Sequence, residues 1–278
     1  MPIDFEAFPL REFQRSRRLQ WFPEEIDFRQ DRIDWAGLAA AEQELLLRQI
    51  VGFLIGERAV THDLAPLQQA LRQERGRMEE EIYLTAQMFE EAVHVQFFQR
   101  WINETLPGRL GRDIPYPRLE GFIFSETLRS AMNALLTDRS PRAQMRAVAV
   151  YHILVEGVLA ETGYQFFYDV FDRRPILPGL ERGIRSIQRD EARHIAFGTY
   201  LLQRLVAEHP ALADPFEATM EELTPQAHDA MTRLFEGLGP AIPFGLDPDR
   251  YQRLVAEFHR SRVDAVRRGK LLESPATT

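Results

Sequence analysis

Carboxylates and imidazoles recur inside stretches whose other residues belong in a helical core. In MFEEAVHVQFF, residues 88–98, Glu91 and His94 stand three apart among Met88, Phe89, Ala92, Val93, Val95, Phe97 and Phe98. In QRDEARHIAFG, residues 188–198, Glu191 precedes His194 by the same step. Glu57 sits in VGFLIGERAV and Glu156 in YHILVEGVLA, each an acid in an apolar run with a glycine beside it. A buried charge is costly unless it is paired or coordinates a metal. Residues three apart share one helix face, so each Glu-x-x-His can direct both side chains at a single ion.

The spacing then repeats. Glu57 precedes Glu91 by 34 residues, and Glu156 precedes Glu191 by 35. That separation suits two helices joined by a short loop, which brings antiparallel neighbours to the same level. Two such halves predict a four-helix bundle with four carboxylates and two imidazoles converging inside it. This is the ligand set of ferritin-like di-iron and di-manganese carboxylate proteins. Asp190, adjacent to Glu191, is expected to accept the outer N–H of His94, because a metal-bound imidazole usually donates its second nitrogen to a carboxylate or carbonyl. Glu90 and Glu161 are expected to face solvent or neighbouring helices. His152 is read as a core histidine with a possible outer role, and His62 as structural.

Helical periodicity dominates the rest of the chain, with no convincing alternating strand. Helices are expected at about 36–73, 76–106, 119–138, 141–171, 179–209, 213–236 and 249–269. Loops fall at 107–118, 172–179 and 237–249, each rich in Pro and Gly. Ser140 before Pro141 reads as a helix cap and a first-turn proline. Pro66 should break or kink the first long helix. The expectation is one all-α domain over 1–278, with a metal-binding core at about 36–209 and further helices over 213–270.

Without cysteine, disulfides and thiolate metal sites are excluded, and any metal must sit on Asp, Glu and His. A net charge of −8 argues against general affinity for nucleic acid. The start, MPIDFEAFPLREF, lacks the pattern of a signal peptide, and no apolar run approaches the roughly 18 residues of a membrane span. A cytoplasmic protein is the default expectation.

The order Glu57, Glu91-x-x-His94, Glu156, Asp190-Glu191-x-x-His194 resembles the ribonucleotide reductase small-subunit superfamily. EEAVH and DEARH also fit the soluble acyl-carrier desaturases. Radical-storing small subunits commonly carry a tyrosine where this chain has Phe98, and a relay tyrosine in a C-terminal tail, whereas here no aromatic follows Phe258. Val60, three after Glu57, and Tyr151, five before Glu156, are similar to the small-subunit-like ligand-binding oxidases. The resemblance spans about 35–210, and the last 70 residues add little to it. It implies a manganese/iron pair, with Glu57, Glu91 and His94 on manganese, Glu156, Glu191 and His194 on iron, and Glu91 bridging. A di-iron pair is the variant. It further implies a long-chain fatty acid with its carboxylate on the metals, O2 as oxidant, a homodimer, and an ether linking the Tyr151 oxygen to the Val60 β-carbon. Helical geometry sits uneasily with that last pair: five α-helical residues turn Tyr151 about 140° from Glu156, so the helix must distort. A fatty-acyl desaturase or hydroxylase, a reductase subunit, or a non-catalytic metal- or lipid-binding protein are the alternatives.

Overall fold

The computed structural model describes residues 3–74, 76–106 and 123–269. It is helical, with no strand among the described residues. In chain order the α-helices are α1 (Phe8–Arg18), α2 (Arg29–Gly37), α3 (Ala40–Asp63), α4 (Ala65–Arg72), α5 (Met78–Thr105), α6 (Arg129–Ala134), α7 (Pro141–Val148), α8 (Glu161–Arg173), α9 (Pro178–Glu208), α10 (Ala213–Phe235) and α11 (Pro248–Arg267). Two π-helical segments, Ile123–Leu128 and Ala149–Ala160, lead into α6 and join α7 to α8. The expected loop at 107–118 lies outside the described residues.

Four elements form the bundle: α3, α5, the continuous helix Pro141–Arg173, and α9. The break at Pro66 is as expected, since Pro66 sits in the first turn of α4, where its missing N–H costs nothing. Ser140 caps α7 by accepting from Ala143 N. The helix expected from residue 36 instead starts at Ala40; Leu38 and Ala39 are extended. The helix Pro141–Arg173 has an 18-residue window long and apolar enough for a membrane span, contrary to the sequence expectation, but 83% of that window is buried inside the protein. A helix apolar all round is what the centre of a large bundle needs.

α1 and α2 are not among the helices expected from the sequence, yet they close the bundle. Both pack on α5 and α9. Asp31 of α2 is fully buried and accepts from Gly179 N at 2.8 Å, Leu180 N at 2.7 Å and Trp101 Nε1 at 2.7 Å. It thereby caps α9 with a negative charge at the positive end of the helix dipole, and so fixes the helix that carries His194.

Candidate metal centre

Each bundle helix turns acids inward at one level. Glu57 (α3), Glu91 and His94 (α5), Glu156 (π segment) and Glu191 and His194 (α9) are all buried. Their donor atoms form two groups, each within 4.8 Å: Glu57, Glu91, His94 and Glu191, and then Glu91, Glu156, Glu191 and His194. All six sequence candidates therefore meet. One detail differs from the expected assignment: Glu191 as well as Glu91 belongs to both groups, its Oε1 lying 3.4 Å from Nδ1 of each histidine.

Both histidines present Nδ1 to the carboxylates and Nε2 outward. His94 Nε2 lies 3.3 Å from Asp190 Oδ2, as expected. His194 Nε2 lies 2.9 Å from Glu90 Oε2. A carboxylate only accepts, so each Nε2 carries a proton, and Nδ1 is the atom that can bind a metal once its own proton is displaced. Glu90 thus faces a neighbouring helix, one of the two placements expected for it, and is 4% exposed; its hold on His194 was not read from the sequence. The signal was present in the paired motifs, where Glu90 precedes Glu91 as Asp190 precedes Glu191. Arg193, 1% exposed, binds both outer carboxylates, Asp190 Oδ1 at 2.6 Å and Glu90 Oε1. The N-terminal segment adds Ser16 Oγ, donating to Glu90 at 2.6 Å, and Trp21 Nε1, donating to Asp190 at 2.7 Å.

Tyr151 is fully buried and donates its hydroxyl to Glu91 Oε1 at 3.0 Å. The Ala149–Ala160 segment explains how it gets there. In a π-helix residues i and i+5 close a hydrogen bond, so Tyr151 and Glu156 stand one above the other. The distortion that spacing demanded is present. Gln87, unread in the sequence, donates to Glu156 Oε1 at 3.2 Å and accepts from His152 Nε2 at 3.3 Å. His152 therefore supports the centre through one intermediate. Burial, reinforced by the charge of His194, pushes it down to about 3, so it is neutral. Gly198 lets it approach, since a Cβ there would lie 2.1 Å from His152 Cβ.

The electrostatics suit cations. Burial pushes Glu57 up to about 8, and pushes Glu156 up with Glu191 adding to it. Burial opposes charge on the imidazoles, but Glu57 and Asp190 hold His94, and Glu191 holds His194, above the usual range. Buried Glu91 Oε2, Glu156 Oε2, Glu191 Oε2 and His194 Nδ1 have no hydrogen-bond partner among the described residues. Orphaned buried acceptors need an explanation. Two divalent cations would supply it, displacing the protons that otherwise neutralise the cluster. The donor set of oxygen and imidazole, without sulfur, fits iron or manganese.

A mainly apolar channel ends on this cluster. The channel's volume is about 100 Å³, and its lining includes Glu57, Val60, Glu156, Tyr164 and Glu191 together with Arg48, Phe53, Gly56, Leu159, Met231 and Leu234. α10 thus builds part of the channel, although the last 70 residues add little to the family resemblance.

Inward carboxylates on four helices, two of them followed one turn later by histidine, define the ferritin-like carboxylate class. The family pattern "Ribonucleotide reductase, small chain" matches residues 10–236. A solved R2-like ligand-binding oxidase with an aerobically reconstituted Mn/Fe cofactor superposes with a TM-score of 0.87 at 35% identity, over 95% of this chain and 94% of that one. A tyrosine-to-phenylalanine variant of such an oxidase, also with an aerobically reconstituted Mn/Fe cofactor, gives 0.87 at 34% identity over the same shares. The chain belongs to the ribonucleotide reductase small-chain family, in its branch of R2-like ligand-binding oxidases.

Proposed function

We propose that this protein is an O2-dependent oxidoreductase that holds one manganese and one iron on Glu57, Glu91, His94, Glu156, Glu191 and His194. The observation that carries this is the convergence of orphaned buried carboxylates with two outward-anchored histidines beside an apolar channel that Glu57, Glu156 and Glu191 help to line. The metal pair supplies dioxygen activation when bound. The chain's own residues do the rest. Asp190 and Glu90 fix both imidazoles, Gln87 orients Glu156, and the buried helices exclude water.

Four carboxylates against two ions leave room for a further anion. Tyr164 is fully buried and lines the channel, and its hydroxyl has no partner among the described residues. A carboxylate head group there would accept its proton. Arg48, which also lines the channel, lies nine residues before Glu57 on α3, about 14 Å at the helical rise. Small and apolar walls over that length support a long-chain fatty acid. Denatured protein should release about one alkyl carboxylate per chain, read by mass spectrometry; several preparations without extractable lipid would contradict the assignment.

We further propose the ether between Tyr151 and Val60. The Tyr151 O–H and Val60 Cβ–H bonds break, an O–Cβ bond forms, and two protons and two electrons pass to dioxygen. Val60 is buried on the Glu57 face and lines the channel. Tyr151 is held at Glu91. Phe98 supports a role outside nucleotide reduction, since it offers no phenol to store a radical.

A homodimer is supported by the outer face of α5. Met78, Ile82, Thr85, Phe89 and Ala92 recur at alternating four- and three-residue steps on that face, with Met78 51% and Phe89 50% exposed. An exposed apolar stripe of that kind marks an interaction surface. Phe89→Glu should convert the dimer to a monomer in light scattering; an unchanged dimer would place the interface elsewhere.

A further inference from the structure

α11 contributes nothing to the metal centre directly, yet Arg262 reaches from it to the backbone beside Glu156. The reason lies in the junction between two helix types. Glu161 N–H closes the π segment on Glu156 O, an i→i+5 bond, and also reaches Val158 O, but not the Gly157 carbonyl between them. α8 then continues with i→i+4 bonds, so the following amide, that of Thr162, looks to Val158, whose carbonyl also accepts the Thr162 hydroxyl at 2.7 Å. The change of register passes over one carbonyl, that of Gly157. Arg262 Nε donates to it at 3.1 Å.

The approach depends on the residue being glycine. A Cβ at Gly157 would lie 3.2 Å from Arg262 Nε and 3.1 Å from His152 O. Around the guanidinium, burial disfavours its charge and Glu161 favours it. A buried carbonyl without a partner would destabilise this turn, and the turn carries Glu156 and, one π turn earlier, Tyr151.

We propose that Arg262 is a positioning residue for the metal centre: its Nε–H satisfies the carbonyl left over at the π-to-α junction and thereby fixes Glu156. The hydrogen bond is independent of the metal-pair reading; its consequence for metal binding rests on it.

The test compares Arg262→Gln with Arg262→Met in the full chain. Gln places an N–H donor as many bonds from Cα as Arg Nε, without the charge; Met has similar length and no donor. Manganese(II) binding is followed by chelator competition and electron paramagnetic resonance. Wild type and R262Q should bind two ions alike. R262M should lose about 10- to 100-fold in affinity for one ion, that of the Glu156 half, and keep the other. Thermal melts of metal-free G157A, R262M and the double variant give a second readout. Their losses in Tm should be less than additive, because the added methyl no longer meets Arg262. R262M binding both ions as wild type does, R262Q as impaired as R262M, or additive melting losses would overturn the proposal. Wild type that binds no ion pair would instead overturn the metal-pair reading, leaving the melting cycle to decide on Arg262.

Discussion

Glu91→Ala is expected to reduce metal binding from two ions per chain to one at most. Glu91 is the residue on which both halves of the centre depend. Its Oε2 lies 3.7 Å from His94 Nδ1, its Oε1 lies 3.3 Å from His194 Nδ1, and the same Oε1 accepts from Tyr151. Burial works against its charge, but the two flanking histidines outweigh that and hold it well below the usual carboxylate range. It is therefore the ionised carboxylate around which two cations can gather. Without it, Glu191 alone spans the two groups. The loss should exceed the roughly 10- to 100-fold that removing an outer hydrogen-bond partner costs. Tyr151 would also lose its acceptor, so the variant should form no cross-link. Metal analysis after desalting is the readout, and two tightly held ions in this variant would contradict the assigned role.

The second large effect belongs to Arg193→Met. The guanidinium is the only cation placed between Asp190 and Glu90 among the described residues, and each of those carboxylates anchors one histidine. Removing one member of a buried ionic group typically costs about 3–5 kcal/mol, because uncompensated charge is left behind. For a chain of this size that lowers Tm by roughly 10 °C. The consequence for metal should be symmetric, with both ions held more weakly, since both imidazoles lose the order of their outer partners. That symmetry separates Arg193 from Arg262, whose loss should fall on one half. Calorimetric melting and metal titration read the two effects. A variant that melts as wild type does, with both affinities intact, would show Arg193 to be dispensable.

The six metal-ligand candidates were legible because each violated its surroundings. An acid in an apolar helical run is visible in one dimension, and the i,i+3 spacing converts it into a direction in space. Asp190 was legible by its place beside Glu191. Glu90 was legible as facing solvent or a neighbouring helix, but its bond to His194 went unread although it holds the same place beside Glu91, because one helix does not say which neighbour lies 100° around it. Gln87 and Arg193 could not be seen from one helix alone; their roles exist only where α5 meets the π segment and α9. Trp21 and Ser16 come from an N-terminal stretch where no helix was expected, and their bonds to Asp190 and Glu90 exist only once that stretch packs onto the bundle. The π segment was legible only as a conflict, five residues between Tyr151 and Glu156 where an α-helix offers three or four. The channel's dependence on α10 and the reach of Arg262 are tertiary facts, since neither helix carries an acid that breaks its pattern.

The most direct test is metal content together with intact mass after apo-protein is given manganese and iron and then air. The expected result is one manganese and one iron per chain, a mass lower by two hydrogens, and a peptide pair joining Val60 to Tyr151 that survives proteolysis. Protein that takes up no metal pair would contradict the assignment of the site, and fully metallated, oxidised protein yielding free Val60 and Tyr151 peptides in full amount would contradict the assigned chemistry.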